Sequence, residues 1–225
     1  MRNINGWYLP ETDTSFDRYL TEDGYQCKQR NEVLQCVTKY KGYDLLNAVD
    51  VGGHVGFWAK DMCNKFEHVY VFEPMSRVHG CFYKNMEGIN NYDLIKEGLG
   101  DSNKDVTIKY DPSSTGNTFI DEQNKAPGEY DTYTISVNTL DSHQLKNIDY
   151  IKIDAEGYEK EVIEGSRNSI YQYKPVLHCE VKSKILAKSG KSEISLLQTI
   201  YEIGYVETHR VGAERVFVHR NDYTK

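Results

Sequence analysis

Apolar and polar positions follow two rhythms along this chain, and the switches between them predict its elements. "NEVLQCVTKYKG" carries Val33, Leu34, Val37 and Tyr40 at helical spacing, with Gly42 as a stop. "DLLNAVDVG" reads as a strand, and "VGFWAKDMCNKF" as a helix with Val55, Trp58, Ala59 and Met62 on one face. "HVYVFEP" predicts a second strand, "SRVHGCFYKNMEG" a helix capped by Ser76, and "DLIKEGL" a short third strand. The rhythm breaks over 101–135. "DVTIKY" reads as a strand, but "DPSSTGNTFIDEQNKAPGEYD" is polar and turn-rich, a loop long enough to be functional or disordered. It resumes with "TYTISVNTL", the apolar strand "IDYIKID", the helix "GYEKEVIEGSRNSI" and the buried strand "KPVLHCEV". The helix "SEISLLQTIYEIG" has Ile194, Leu197, Ile200 and Tyr201 on a stripe, and "YVETHRV" with "ERVFVHR" predicts a closing antiparallel pair.

Strands alternating with helices predict an α/β domain with a mainly parallel sheet covered on both faces. Ligands of such sheets bind outside the carboxyl ends of the strands. The expected division is an N-terminal arm and helix over 1–42 and the α/β domain over 43–225.

Composition narrows the function classes. The net charge of -7 over 225 residues disfavours a general nucleic-acid surface, which needs clustered Lys and Arg. Lys182, Lys184, Lys188 and Lys191 form a local cluster that reads as a solvated approach to a helix. No apolar run is long enough to span a bilayer, and "MRNINGWYLPETD" lacks the apolar stretch of a signal peptide. Cys27, Cys36, Cys63, Cys81 and Cys179 are odd in number and make no CxxC pair, so reduced thiols and a cytoplasmic location are expected.

The chemistry gathers at strand ends. In "VDVGGHVG" the position of a dinucleotide fingerprint's first glycine is Val51, and Asp50 stands just before it. An acid there would repel a pyrophosphate and suits a cationic ligand without phosphate, such as S-adenosylmethionine (SAM). Gly52, Gly53 and Gly56 would let the backbone approach it, and Glu73, about 20 residues on, stands where an acid reaches a ribose diol. Asp101 in "GLGDSN" is a candidate for the adenine amino group or an ordinary turn residue. In "IKIDAEGYEKEV", Asp154 ends an apolar strand, where a carboxylate is costly unless paired or used. Glu156 and Glu159 stand at a helix start, where the dipole alone accounts for acids and is the preferred reading of Glu159. "VLHCEVK" puts His178 and Glu180 on one side of a strand, His178 being as readily a core histidine as a catalyst.

The run from "VDVGGHVG" through "VYVFEP" and "VNTLD" to "IDYIKIDAEGYEKEVIEG" and "KPVLHCEV" resembles the FkbM family of SAM-dependent methyltransferases across about residues 45–182, and "GWYLPETD" resembles an N-terminal element of some members. The resemblance implies a class I methyltransferase (Rossmann-like) fold: a seven-stranded, mostly parallel sheet with helices on both faces, here with a short N-terminal helical arm. It implies SAM as cofactor and O-methylation of a hydroxyl on a sugar, a glycan or another small molecule. The family usually reads Gly-Ala-Asn-x-Gly where this chain has Gly52-Gly53-His54-Val55-Gly56, so His54 takes the place of an amide beside the cofactor. In "TGNTF", Asn117 and Thr118 are candidates for lining the mouth of the site. Asp154, Glu156, His178 and Glu180 are the catalytic candidates. Asp154, His178 or Glu180 would serve as base, or Asp154 and Glu180 would hold Mg2+. A ribose 2'-O-methyltransferase acting on nucleic acid and a non-catalytic SAM-binding protein are the alternatives, both less favoured.

Overall fold

The computed structural model describes residues 1–111, 114–120 and 130–223. The chain opens with a hairpin of β1 (Arg2–Ile4) and β2 (Trp7–Leu9), then turns, then α1 (Cys27–Lys41). The arm is therefore a hairpin and turns over its first 26 residues, and helical only in α1. α1 begins six residues before its apolar stripe, at a left-handed Gln26 (φ 55°) with no side-chain cap, so no start signal marks it.

There follow β3 (Asn47–Val51), α2 (Phe57–Cys63), β4 (His68–Phe72), α3 (Ser76–Asn85), β5 (Tyr92–Ile95), β6 (Gly98–Leu99), β7 (Lys104–Asp111), β8 (Ser114–Ile120) and β9 (Asp131–Asn138). The second half holds β10 (Ile148–Ile153), α4 (Glu159–Glu164), α5 (Arg167–Tyr173), β11 (Val176–Glu180), α6 (Ser183–Lys188), α7 (Glu193–Glu202), β12 (Tyr205–Val211), β13 (Glu214–His219) and α8 (Arg220–Tyr223).

The main sheet runs β12-β13-β11-β10-β3-β4-β5, with β13 antiparallel to both neighbours and the other pairings parallel. From β3 the chain builds outward to β5, then returns to β10 on the other side of β3. The switch point between β3 and β10 leaves a crevice at their carboxyl ends. Both faces are covered, which is why the central strands read as nearly unbroken apolar runs. Val49, Val51, Ile151, Ile153 and Leu177 pack on one face with Val162, Leu196 and Ile200. Ala48, Tyr150 and Val176 pack on the other with Val33, Leu34, Trp58 and Met62.

Three expectations change here. "DLIKEGL" does not form one strand, because β6 leaves the main sheet to pair with β9 in a four-stranded sheet ordered β6-β9-β7-β8. The polar stretch after Tyr110 contains a strand, β8, antiparallel to β7 at the edge of that sheet. Its Ser, Thr, Gly and Asn residues hide it from a reading based on apolar alternation. The "GYEKEVIEGSRNSI" helix is two helices, α4 and α5, parted at Gly165 and Ser166.

The arm is clamped by Asn85, whose Oδ1 accepts from the Tyr8 N–H at 2.7 Å while its Nδ2 donates to the Tyr8 and Val55 carbonyls at 2.9 and 2.8 Å. Trp7 packs on Phe57 with ring centroids 4.7 Å apart.

Candidate active site

A cavity of about 330 Å3 opens at the switch point. Gly52, Gly53, His54, Glu73 and Leu99 form one stretch of its wall, Phe16, Tyr19 and Tyr25 of the arm another, and Asp154, Glu156, Glu180 and Lys182 a third. Ile108, Ile135 and Val137 of the smaller sheet add apolar surface.

The glycine loop is held from beneath. Asp50 lies one residue inside β3, so its side chain shares the face of Ala48 and is fully buried. Register places Lys152 of β10 beside it. Lys152 Nζ lies 2.9 Å from Asp50 Oδ1, donates to the Gly52 carbonyl at 3.0 Å, and stands 3.9 Å from Asp154. Asp50 therefore acts on the loop through a buried lysine and does not line the cavity. Burial pushes the Asp50 carboxyl up while Lys152 opposes it. Lys152 is missing from the sequence-derived set. The argument that flagged Asp154, that a charge in an apolar strand needs a partner, applies to it equally.

The glycines answer a need within the fold. At Gly52 (φ +79°) a Cβ would stand 2.0 Å from the Asp154 carbonyl oxygen, so β3 and β10 approach each other where only a hydrogen fits. Gly56 (φ +95°) turns away from the cavity, and a Cβ there would press on Phe82 of α3 and on Met86 just after it.

Glu73 follows β4 and is 6% exposed. Its Oε2 accepts from the His54 N–H and its Oε1 from the Met75 N–H, both at 2.8 Å, which stitches the glycine loop to the start of α3. Each oxygen keeps a lone pair for a further donor. Burial raises its pKa to about 7, against the pull of those two hydrogen bonds. His54 is left-handed (φ 48°), a conformation that Asn and His tolerate better than most residues. Its ring packs with Phe16 and Phe57, with centroids 5.5 and 6.3 Å away, and burial lowers its pKa to about 4. The imidazole is neutral at physiological pH.

Asp154, Glu156 and Glu180 each bring a carboxylate oxygen within 4.8 Å of the others. Lys182 Nζ lies 2.6 Å from Glu180 and 3.7 Å from Glu156. Burial and the neighbouring Asp154 raise Glu156 to about 8 and push Glu180 up further. Burial works against the Asp154 carboxylate too, but Lys152 and Lys182 outweigh it and hold its pKa below the usual range. One acid of the cluster is thus firmly ionised beside two that readily hold a proton. Lys182 is 42% exposed, in keeping with the solvated cluster read from sequence, and its ammonium borders this wall.

Three other candidates lie elsewhere. His178 is fully buried beside Lys152 in the sheet, accepting or donating to Tyr150 Oη and Glu214 Oε2 at 2.7 Å each, so both ring nitrogens are engaged away from the cavity. Alternation aligned it with Glu180, but Glu180 ends the strand and His178 lies two residues beneath. Asp101 is absent from the cavity wall and pairs with Lys104 at 3.3 Å in a turn. Glu159 accepts from the Ala155 and Gly157 N–H groups at 3.2 and 2.9 Å, bracing the turn before α4. Thr118 lines the cavity, whereas the Asn117 side chain lies outside the described residues.

Among the described residues, no helix is long and apolar enough to cross a membrane. The sequence matches the family described as "Methyltransferase FkbM domain" over residues 50–207. It is 23% identical over 141 residues to "Methyltransferase 1" of Beauveria bassiana (strain ARSEF 2860), covering 52% of this chain and 57% of that protein. The fold is similar to that of methyltransferase FkbM from Methylobacillus flagellatus KT, with a TM-score of 0.53 and 19% identity over 78% of this chain and 44% of that one. The chain thus spans about half the length of these relatives. With the family match extending from Asp50 through the glycine loop and the Asp154 turn to β12, the chain belongs to the FkbM methyltransferase family.

Proposed function

We propose that this protein transfers a methyl group from SAM to a hydroxyl of a sugar, a glycan or another small molecule. The observation that carries this reading is the single cavity wall in which Glu73, the glycine loop and the carboxylate cluster follow one another across the switch point. Glu73 would accept from the ribose diol. Leu99, Met75 and Val137 offer apolar surface for the adenine, and the backbone of Gly52 and Gly53 borders the amino-acid end. Tyr25 and Phe16 of the arm would face the acceptor, Tyr25 lying within electrostatic reach of Lys182, Glu180 and Asp154.

In the reaction the acceptor oxygen attacks the methyl carbon, the C–S bond breaks, and its electron pair neutralises the sulfonium. The hydroxyl proton passes to a carboxylate of the cluster. Such a displacement depends chiefly on alignment and on excluding water. A base with a pKa near the working pH does this best, and Glu156, raised to about 8, fits that requirement. His178, with both nitrogens engaged in the core, has no part in this scheme.

The test is calorimetric titration of SAM into the full chain, followed by transfer of a labelled methyl group to panels of sugars, hydroxylated natural products and RNA. Labelled sugar or natural product is expected. Labelled RNA would move the acceptor class to ribose 2'-hydroxyls, and tight SAM binding without transfer to any acceptor would favour a binding protein.

A further inference from the structure

Three carboxylates converging on one point invite a divalent cation, yet the residues present do not fit one. We infer that Lys182 supplies from within the chain the positive charge that a metal would otherwise bring to Asp154, Glu156 and Glu180. Transfer then proceeds without a metal, and removing Lys182 turns the cluster into a divalent-cation site.

The geometry is specific. Divalent ions hold carboxylate oxygens at about 2.0–2.6 Å and need several at once. The Lys182 ammonium already stands 2.6 Å from Glu180 and 3.7 Å from Glu156, beside the carboxylates that such an ion would have to bridge. Lys152 adds a second ammonium 3.9 Å from Asp154. Two lysines therefore face three acids, and a dication would have to enter against both.

The backbone explains why Lys182 reaches this place. β11 ends at Glu180, and Val181 is held to the Ala213 carbonyl by a 2.9 Å hydrogen bond. Lys182 is still extended (φ −109°, ψ 99°) before α6 begins, so its side chain falls on the same side as Glu180. Its ammonium has three donors. Only Glu180, at 2.6 Å, lies within hydrogen-bond distance, Glu156 being an ion-pair neighbour at 3.7 Å, so an N–H is left to orient an acceptor oxygen while a carboxylate takes the proton. That last role rests on the methyl-transfer reading above, whereas the exclusion of a metal does not.

The experiment compares the wild-type chain with Lys182→Met and Lys182→Gln, using Mn2+ as probe. Calorimetry and the quenching of free Mn2+ in its electron paramagnetic resonance signal are the readouts. Circular dichroism and SAM titration show that each variant is folded. The wild-type chain is expected to ignore millimolar Mn2+, and at least one variant to bind it at least tenfold more tightly. The gain should vanish in Lys182→Met/Glu156→Gln and be absent in Lys182→Arg, which keeps the charge. Where an acceptor has been found, wild-type turnover should be indifferent to EDTA. Lys182→Met should lose at least tenfold in turnover and recover part of it with Mg2+. Mn2+ binding to the wild-type chain comparable with that of the variants, or no gain in either folded variant, would overturn the inference. So would wild-type turnover that EDTA abolishes and Mg2+ restores. Failure of methyl transfer in every arm would count against the proposed function and leave the Mn2+ titration to decide this question.

Discussion

Replacing Lys152 by Met should reveal how the donor loop is held. Asp50 and Lys152 are 0% and 1% exposed, and among the described residues their 2.9 Å contact is the only hydrogen bond of the Asp50 carboxylate, whose Oδ2 has none. Stripping one partner from such a pair costs about 3–5 kcal/mol, because the other charge is left buried. Losing the donor to the Gly52 carbonyl adds about 1 kcal/mol. Against a typical domain stability of about 5–15 kcal/mol, that is a large fraction. Asp50→Asn should cost a similar amount by stranding the ammonium, softened by Asp154 at 3.9 Å. The double variant removes both charges and should be far less damaged than the sum, with a coupling of about 2–3 kcal/mol. The deficit of Lys152→Met should shrink as pH falls. The orphaned Asp50 then takes up a proton in the folded state that the unfolded chain, with its lower pKa, binds only at more acidic pH. Urea denaturation of the four proteins at pH 5.5 and 7.5, followed by circular dichroism, gives these numbers. Single variants within 1 kcal/mol of wild type, or additive effects in the double, would refute the reasoning. If Asp50→Asn instead weakened SAM without touching stability, Asp50 would be a ligand contact and the account of the loop would be wrong.

Glu73 has a raised pKa of about 7, and a ribose diol donates most strongly to its ionised form. SAM affinity should therefore fall by up to about tenfold per pH unit below 7 and level off above it, with a proton released on binding in the acid range. Calorimetry in two buffers of different ionisation heat reads this, and Glu73→Gln should bind weakly with no such slope. Gly52→Ala forces a Cβ to 2.0 Å from the Asp154 carbonyl. It should lose tenfold or more in SAM affinity, whereas Gly88→Ala (φ +85°, with nothing within 4 Å) should cost only about 1 kcal/mol of stability. Asn85→Ala strands three backbone groups and should cost about 2–3 kcal/mol. Hydrogen exchange at the Tyr8 amide should then accelerate more than at the Val69 amide.

The parts of the site that a sequence displays are those fixed by one strand and the turn after it. Glu73, Gly52 and the Asp154–Glu156 turn were legible because each closes an apolar run beside glycine or proline. What depends on the neighbouring strand was hidden. Lys152 meets Asp50 only because β10 lies beside β3 in a given register, although 102 residues separate them in the chain. His178 looked like a catalyst because alternation reports the side of a strand and not the depth along it. Lys182 is solvated as read, but its pairing was hidden because its partners come from β11 and the turn after β10. Asp101 kept its ordinary role in a turn, and β8 escaped because its polar residues carry no apolar alternation. The arm's contacts, from Phe16 to His54 and from Asn85 to Tyr8, join segments that no local pattern connects.

Asp50, Lys152 and His178 stand side by side across three adjacent strands, all on the face of α1 and α2. Sliding any one of these strands by a single step would turn its polar side chain toward Val162, Leu196 and Ile200 and bring an aliphatic residue into the row. A sheet whose apolar residues are nearly interchangeable thus carries its own alignment marks. Only one arrangement of the three strands lets every buried charge and imidazole find its neighbour, so the row beneath the glycine loop also proofreads the assembly of the sheet around it.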